Sequence, residues 1–145
     1  MNRDDQNQSP VRFKEFLKLH LRRQRFLTQE QESRLLEEAV LRYNLTADEA
    51  NGVLRAATDD AEVVTEAELL SSTVQLLKAM ADRRSRVTRE DFDKAADFYR
   101  SRTGTTVTPV EARKRVKRVM EEHSLEPRRS GRLLKTRRWY RQIGE

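Results

Sequence analysis

The chain has 145 residues, 37% of them charged and 36% hydrophobic, and its 30 Lys and Arg exceed its 24 Asp and Glu for a formal net charge of +6. That length is enough for a compact domain with a core, while four glycines and three prolines are too few for an architecture of tight β-hairpins. The absence of cysteine excludes disulfides and thiolate metal sites, and no apolar run approaches the length of a membrane span.

Residues 1–10 are polar and carry no apolar stretch, so they read as an N-terminal tail without a signal peptide, and a cytoplasmic location is expected. From there the apolar residues recur at helical spacing. Phe13, Phe16, Leu17 and Leu21 form a first stripe; Leu35, Leu36, Ala39 and Val40 form a second, ending near Tyr43. Ala50, Val53, Leu54 and Ala57 mark a third, and Leu69, Leu70, Val74, Leu77 and Met80 a fourth, the most apolar. Phe92, Ala95, Ala96 and Tyr99 mark a fifth, followed by Gly104 where a helix stop is expected. Val110, Val116, Val119 and Met120 mark a sixth.

Helix starts carry one signal. Thr28, Thr46, Thr65, Thr88 and Thr108 each stand three residues before an acid or amide: Gln31, Glu49, Glu68, Asp91 and Glu111. In a capping box the Thr hydroxyl accepts a first-turn N–H, and the later side chain reaches back to the N–H of the cap residue. Asp91 is short, so the fourth box is weaker, and Pro109 at a first helical position supports the fifth. An apolar residue precedes each Thr (Leu27, Leu45, Val64, Val87, Val107) and can staple the incoming chain onto the first turns.

The pattern is duplicated. At an offset of sixty, Leu17, Lys18, Arg23, Thr28 and Glu30 fall on Leu77, Lys78, Arg83, Thr88 and Glu90; after a two-residue slip, Leu45-Thr46 falls on Val107-Thr108. The expected fold is an all-α bundle of six to seven helices, built from two similar three-helix repeats at about residues 13–57 and 73–120 within a helical domain 11–124, with a basic C-terminal segment at 125–145.

The repeated unit, a helix, an apolar-Thr dipeptide and another helix, resembles the rhythm of EF-hand-like pairs, and the stretch Ala57 to Glu68 is the nearest match. Glu68 falls where a last bidentate ligand would stand and Asp59 on an early ligand position, but the first ligand position is Ala57 and the turn glycine is Glu62. A calcium loop needs several converging oxygens and that glycine, so no metal and no cofactor is expected. The acidic stretches around Thr28-Gln-Glu30 and Thr46-Ala-Asp-Glu-Ala50 also resemble TerB-like helical bundles. Both resemblances imply a helical-bundle fold and transfer no site residue.

Catalysis finds no motif. His20 lies between apolar positions and reads as a partly buried structural histidine, and His123 lies near a helix end, where a cation meets the carbonyl end of the dipole. Glycine-rich phosphate loops and nucleophile elbows are absent, so a non-enzymatic role is expected. Charge gives the better lead. Residues 28–68 hold eleven acids against three arginines, whereas residues 112–145 hold twelve cations against four acids. Arg113, Lys114, Arg115, Lys117 and Arg118 lead into Arg128, Arg129, Arg132, Lys135, Arg137, Arg138 and Arg141, with Trp139 and Tyr140 interleaved. Arginine suits phosphate through its planar fork, and aromatic rings stack on bases. The first expectation is therefore an accessory protein docking this region onto nucleic acid or a nucleoprotein. The alternative is a protein–protein adaptor whose Glu30, Glu37, Glu38, Asp59, Asp60 and Glu62 meet a basic partner. In that case Leu133, Leu134, Trp139, Tyr140 and Ile143 form a last amphipathic helix docked as structure. The oligomeric state is left open.

Overall fold

The computed structural model describes residues 3–104, 106–131 and 133–144, with side chains from residue 8 onward. The protein is all-α. Its described helices are α1 (Arg3–Leu21), α2 (Gln29–Tyr43), α3 (Ala47–Asp60), α4 (Glu66–Met80), α5 (Arg89–Arg102), α6 (Pro109–Glu122) and α7 (Arg138–Arg141). Four two-residue strands lie at the junctions: β1 (Phe26–Leu27), β2 (Val64–Thr65), β3 (Arg86–Val87) and β4 (Glu126–Pro127). The segment expected as a tail is helical from Arg3, and Pro10 lies inside α1. Among the described residues no helix is long and apolar enough to cross a membrane. The chain forms two compact units, Met1–Glu66 and Ala67–Glu145. The first holds ten Lys and Arg against thirteen Asp and Glu; the second holds twenty against eleven.

Threonine caps set the helix starts. Thr28, Thr46 and Thr108 accept the N–H of Gln31, Glu49 and Glu111, and each of those side chains returns a bond to the cap N–H. At α5, only the forward bond from Asp91 N–H to the Thr88 hydroxyl is described, as the shorter acid predicts. Thr65 directly precedes α4 and is the second residue of β2. Gly104, with φ 64°, follows the end of α5.

The strands were not expected from the composition. β1 pairs with β2 in parallel, Phe26 opposite Val64 and Leu27 opposite Thr65. β3 pairs with β4 in parallel, Arg86 opposite Glu126 and Val87 opposite Pro127. Both ladders open with the same bond: Val64 N–H to Arg25 O and Glu126 N–H to Ser85 O, each 2.9 Å. The helices feeding them also end alike. Val63 N–H reaches Thr58 O and Glu62 N–H reaches Asp59 O, just as Leu125 N–H reaches Met120 O and Ser124 N–H reaches Glu121 O. This is the Schellman termination, which requires a left-handed residue. Glu62 and Ser124 supply it at φ 54° and 55°, and the closed carbonyls offset the roughly 1–2 kcal/mol that an L side chain costs there. These equivalences follow the offsets seen in the sequence, sixty before the slip and sixty-two after it. The first rung is apolar in one unit and charged in the other.

In the first unit α1, α2 and α3 pack on one another. Phe13, Leu17, Leu21, Leu35, Ala39, Ala50, Leu54 and Ala57 bury their side chains with Leu27, Leu45 and Val63 from the junctions. Phe16 and Tyr43 cover that core, their rings 5.9 Å apart. Val40, read as part of the second stripe, faces solvent, and so does His20, whose ring lies 5.8 Å from Phe16. In the second unit α5 packs on α6. Phe92, Ala95, Ala96 and Tyr99 are buried there, with Ala112, Val116, Val119 and Met120. Val110 is exposed, one position after the N1 proline, and Ala112 occupies the buried place instead. Leu69, Thr73 and Leu77 are buried along α4, and the Thr73 hydroxyl donates to Leu69 O at 2.7 Å. His123 closes α6, its N–H on Val119 O.

A candidate cationic cleft in the second unit

The C-terminal segment is docked onto its unit. Leaving β4, Arg128 donates its N–H to Val87 O at 2.8 Å. The chain turns back through an antiparallel bridge, Ser130 opposite Thr136, and ends in α7. Trp139, Tyr140 and Ile143 are buried. The Trp139 indole N–H donates to Arg128 O at 3.1 Å, and its ring meets Phe92 edge-on at 5.4 Å. Tyr140 packs edge-on against both Trp139 and Phe92, and its hydroxyl donates to Lys117 O at 3.5 Å. Lys117 sits over the Tyr140 ring and donates to Ile143 O at 2.8 Å. Burial, reinforced by the charge of Glu121, pushes the Tyr140 phenol up to about 12.

Two sequence readings are corrected by this packing. Trp139 and Tyr140 do not offer their faces to a base, because both rings are enclosed by the protein. Nor do the apolar residues form one amphipathic helix. Only Arg138–Arg141 is helical, and Leu133 and Leu134 stand in solvent.

What the docking builds is a cleft. Arg84, Arg86, Arg128, Arg129, Lys135 and Arg137 line a hollow of about 480 Å³, and its walls carry no acidic residue. Asp82 shapes one side. Its carboxylate accepts the N–H groups of Arg84 and Arg86 at 2.9 and 3.0 Å, and the Arg86 Nε–H at 3.0 Å. Those backbone bonds, led by that of Arg86, hold the Asp82 carboxyl below its usual range. The turn they make puts Ser85 at φ 57° and delivers Arg86 into β3. The β3–β4 ladder brings Arg128 and Arg129 alongside, and the return leg adds Lys135 and Arg137. Arg137 contacts Glu126 at 3.4 Å, while its Nε is buried with no acceptor among the described residues. Arg84, Arg128, Arg129 and Lys135 have no carboxylate within 4.0 Å among the described residues. In the first unit the residue following the second strand is Glu66, which is buried and accepts Gln29 N–H at 2.7 Å at the start of α2. Its counterpart after β4 is Arg128, so the duplicated frame carries the opposite charge here.

The other expected cations are dispersed. Arg113 is engaged by Asp93 and lies over the Phe92 ring, and Lys117 is committed to Tyr140 and Ile143. Lys114, Lys117 and Arg118 border a smaller hollow of about 250 Å³ with Glu121 and Gly144. Arg115 lies near Glu111, whose carboxyl is held low first by the Thr108 N–H, then by the Thr108 hydroxyl and by the charges of Arg115 and Lys114. Arg138 and Arg141 are exposed on α7, and Arg132 lies outside the described residues. Arg84 and Arg86 were not among the sequence-read residues. Their signal, the run Asp82-Arg-Arg-Ser-Arg86, is visible in the chain, but its meaning depends on a strand pairing that the composition does not announce.

The acidic residues of the first unit are partly self-neutralised. Glu30 pairs with Arg34 at 2.6 Å, Glu38 with Arg42 at 2.9 Å and Asp60 with Lys14 at 4.0 Å, leaving Glu37, Asp59 and Glu62 exposed. Among the described residues no group of three His, Asp or Glu side chains is placed to hold a metal ion. No protein-family model, characterised protein or solved structure matches the chain.

Proposed function

We propose that the protein is a non-enzymatic nucleic-acid-binding module that grips the sugar-phosphate backbone in the cationic cleft. The observation that carries this reading is the lining itself: six cations and no carboxylate, with four of the six free of ion pairs among the described residues. Guanidinium forks match phosphate oxygens in pairs. Recognition of this kind positions the protein and reads no base directly.

Fluorescence anisotropy with labelled single- and double-stranded oligonucleotides, titrated with salt, tests it. If Arg84, Arg128, Arg129 and Lys135 each meet a duplex phosphate, the log–log slope of affinity against salt is about −3.6, at roughly −0.9 per contact. Arg128→Gln with Arg129→Gln removes about half of that slope, while Arg34→Gln in the first unit leaves it unchanged. Absence of any salt-dependent binding at low ionic strength sinks the reading. A second reading, the adaptor, is favoured by one observation: the C-terminal aromatics are packed as structure. It requires a basic partner whose binding is lost when Glu37, Asp59 and Glu62 are changed together to Gln.

A further inference from the structure

The two most exposed large apolar side chains of the second unit lie in the chain between the cleft-lining Arg129 and Lys135. Leu133 is 99% and Leu134 80% exposed. They occupy the tip of a short hairpin whose legs are bridged by Ser130 N–H to Thr136 O at 2.8 Å and Thr136 N–H to Ser130 O at 3.0 Å. Gly131 has φ 145°, and a Cβ there would lie 2.4 Å from Leu134 O, so the backbone folds back on itself where only glycine fits. The base of the incoming leg is fixed by the Trp139 indole on Arg128 O. Arg128 and Arg129 stand on one leg, and Lys135 and Arg137 on the other; all four line the cleft.

We propose that Leu133 and Leu134 form a wedge that enters the minor groove of duplex DNA and partly unstacks a base step, while the flanking cations hold the phosphates beside it. This rests on the nucleic-acid reading and adds the form of the ligand and the way it is deformed. A pair of leucines exposed to water gains free energy by leaving it, and an apolar wedge beside basic side chains is how minor-groove binders kink a duplex. The hairpin carries both parts within the ten residues from Arg128 to Arg137. The hollow between the cations is concave, which suits a projecting ridge of phosphates. Flexible pyrimidine–purine steps deform most easily and are the expected sites of insertion.

The test is a bending assay on a short duplex labelled at both ends for energy transfer, with a central flexible step. The expected result is a protein-induced kink within about 20–90°. The Leu133→Ala, Leu134→Ala double variant is expected to lose the kink and about tenfold in affinity, with its salt slope and melting temperature unchanged because both side chains are exposed. If the double variant bends and binds the duplex like the unaltered protein, the wedge is wrong while phosphate gripping stands. Should single strands bind as tightly as duplex with no dependence on the leucines, the wedge falls in the same way. If no oligonucleotide binds with salt dependence, the nucleic-acid reading fails and takes the wedge with it. Co-sedimentation with anionic vesicles, retained by the unaltered protein and lost by the double variant, would instead assign the tip to a lipid surface and overturn the proposal.

Discussion

Replacing Trp139 by alanine removes a ring that packs the C-terminal segment against Phe92 of α5. The ring touches Phe92 and Tyr140 edge-on, at 5.4 and 5.7 Å, and its N–H fills the acceptor at Arg128 O. Truncating a buried Trp to Ala costs about 3–5 kcal/mol through lost transfer energy and the cavity left behind. The second unit, Ala67–Glu145, falls in the size range where 1 kcal/mol moves the melting temperature by roughly 4–8 °C. The expected drop in the transition of that unit is therefore roughly 12–40 °C. Far-UV circular dichroism reads it directly. Trp139 is the sole tryptophan, so the unaltered protein also gives a fluorescence transition that reports this packing alone. Trp139→Phe keeps most of the ring and gives up only the hydrogen bond, so it should recover most of the loss, to within about 1–2 kcal/mol. A melting temperature for Trp139→Ala within about 3 °C of the unaltered protein would refute the docked C-terminal segment, and with it the geometry of the cleft.

Tyr140 makes stability fall in alkali. Its folded phenol is raised to about 12 from 10.0, so the contribution is intact below pH 10 and is lost as pH climbs through the folded value; at pH 11 the loss is about 1 kcal/mol. Urea midpoints at pH 8 and 11 should show that loss, and Tyr140→Phe should abolish the part of the decline due to this residue; equal declines in both proteins would refute it. Thr108→Ala removes the hydroxyl that accepts Glu111 N–H and donates to the Glu111 carboxylate, leaving only the return bond from the backbone N–H, and should cost about 1 kcal/mol in chemical denaturation. Thr88→Ala, which loses one described bond, should cost less, and an unchanged Thr108→Ala would disprove the capping argument.

The helix starts were legible because capping is local: the Thr and its acid or amide are three residues apart, and three of the five boxes close in both directions. The core stripes were legible for the same reason, apart from Val40 and Val110, where helical spacing alone cannot say which edge of a stripe meets solvent. The ladders were not, because Arg, Glu and Pro occupy three of the four positions in one of them and have no preference for strands. That miss concealed the cleft, since Arg84 and Arg86 meet Arg128 and Arg129 only through the β3–β4 pairing. The C-terminal apolar residues misled in another way. Leu133, Leu134, Trp139, Tyr140 and Ile143 fit a helical stripe, yet Gly131 and the Ser130–Thr136 bridge divide them into a projecting tip and a buried anchor.

The parallel ladders also carry a kinetic consequence. Each joins strands separated by two whole helices and their connections, and closing a loop of about forty residues costs on the order of 3 kcal/mol in chain entropy beyond a constant. Two rungs contribute too little to meet that cost unaided, at about 0.5–1.5 kcal/mol per hydrogen bond. The helices must therefore dock first, and each ladder closes last, as a clasp on an arrangement already made. A chain with two such clasps finishes each half from its own residues, because the packing of α2 on α3 and of α5 on α6 makes the two strands of each clasp neighbours before it closes.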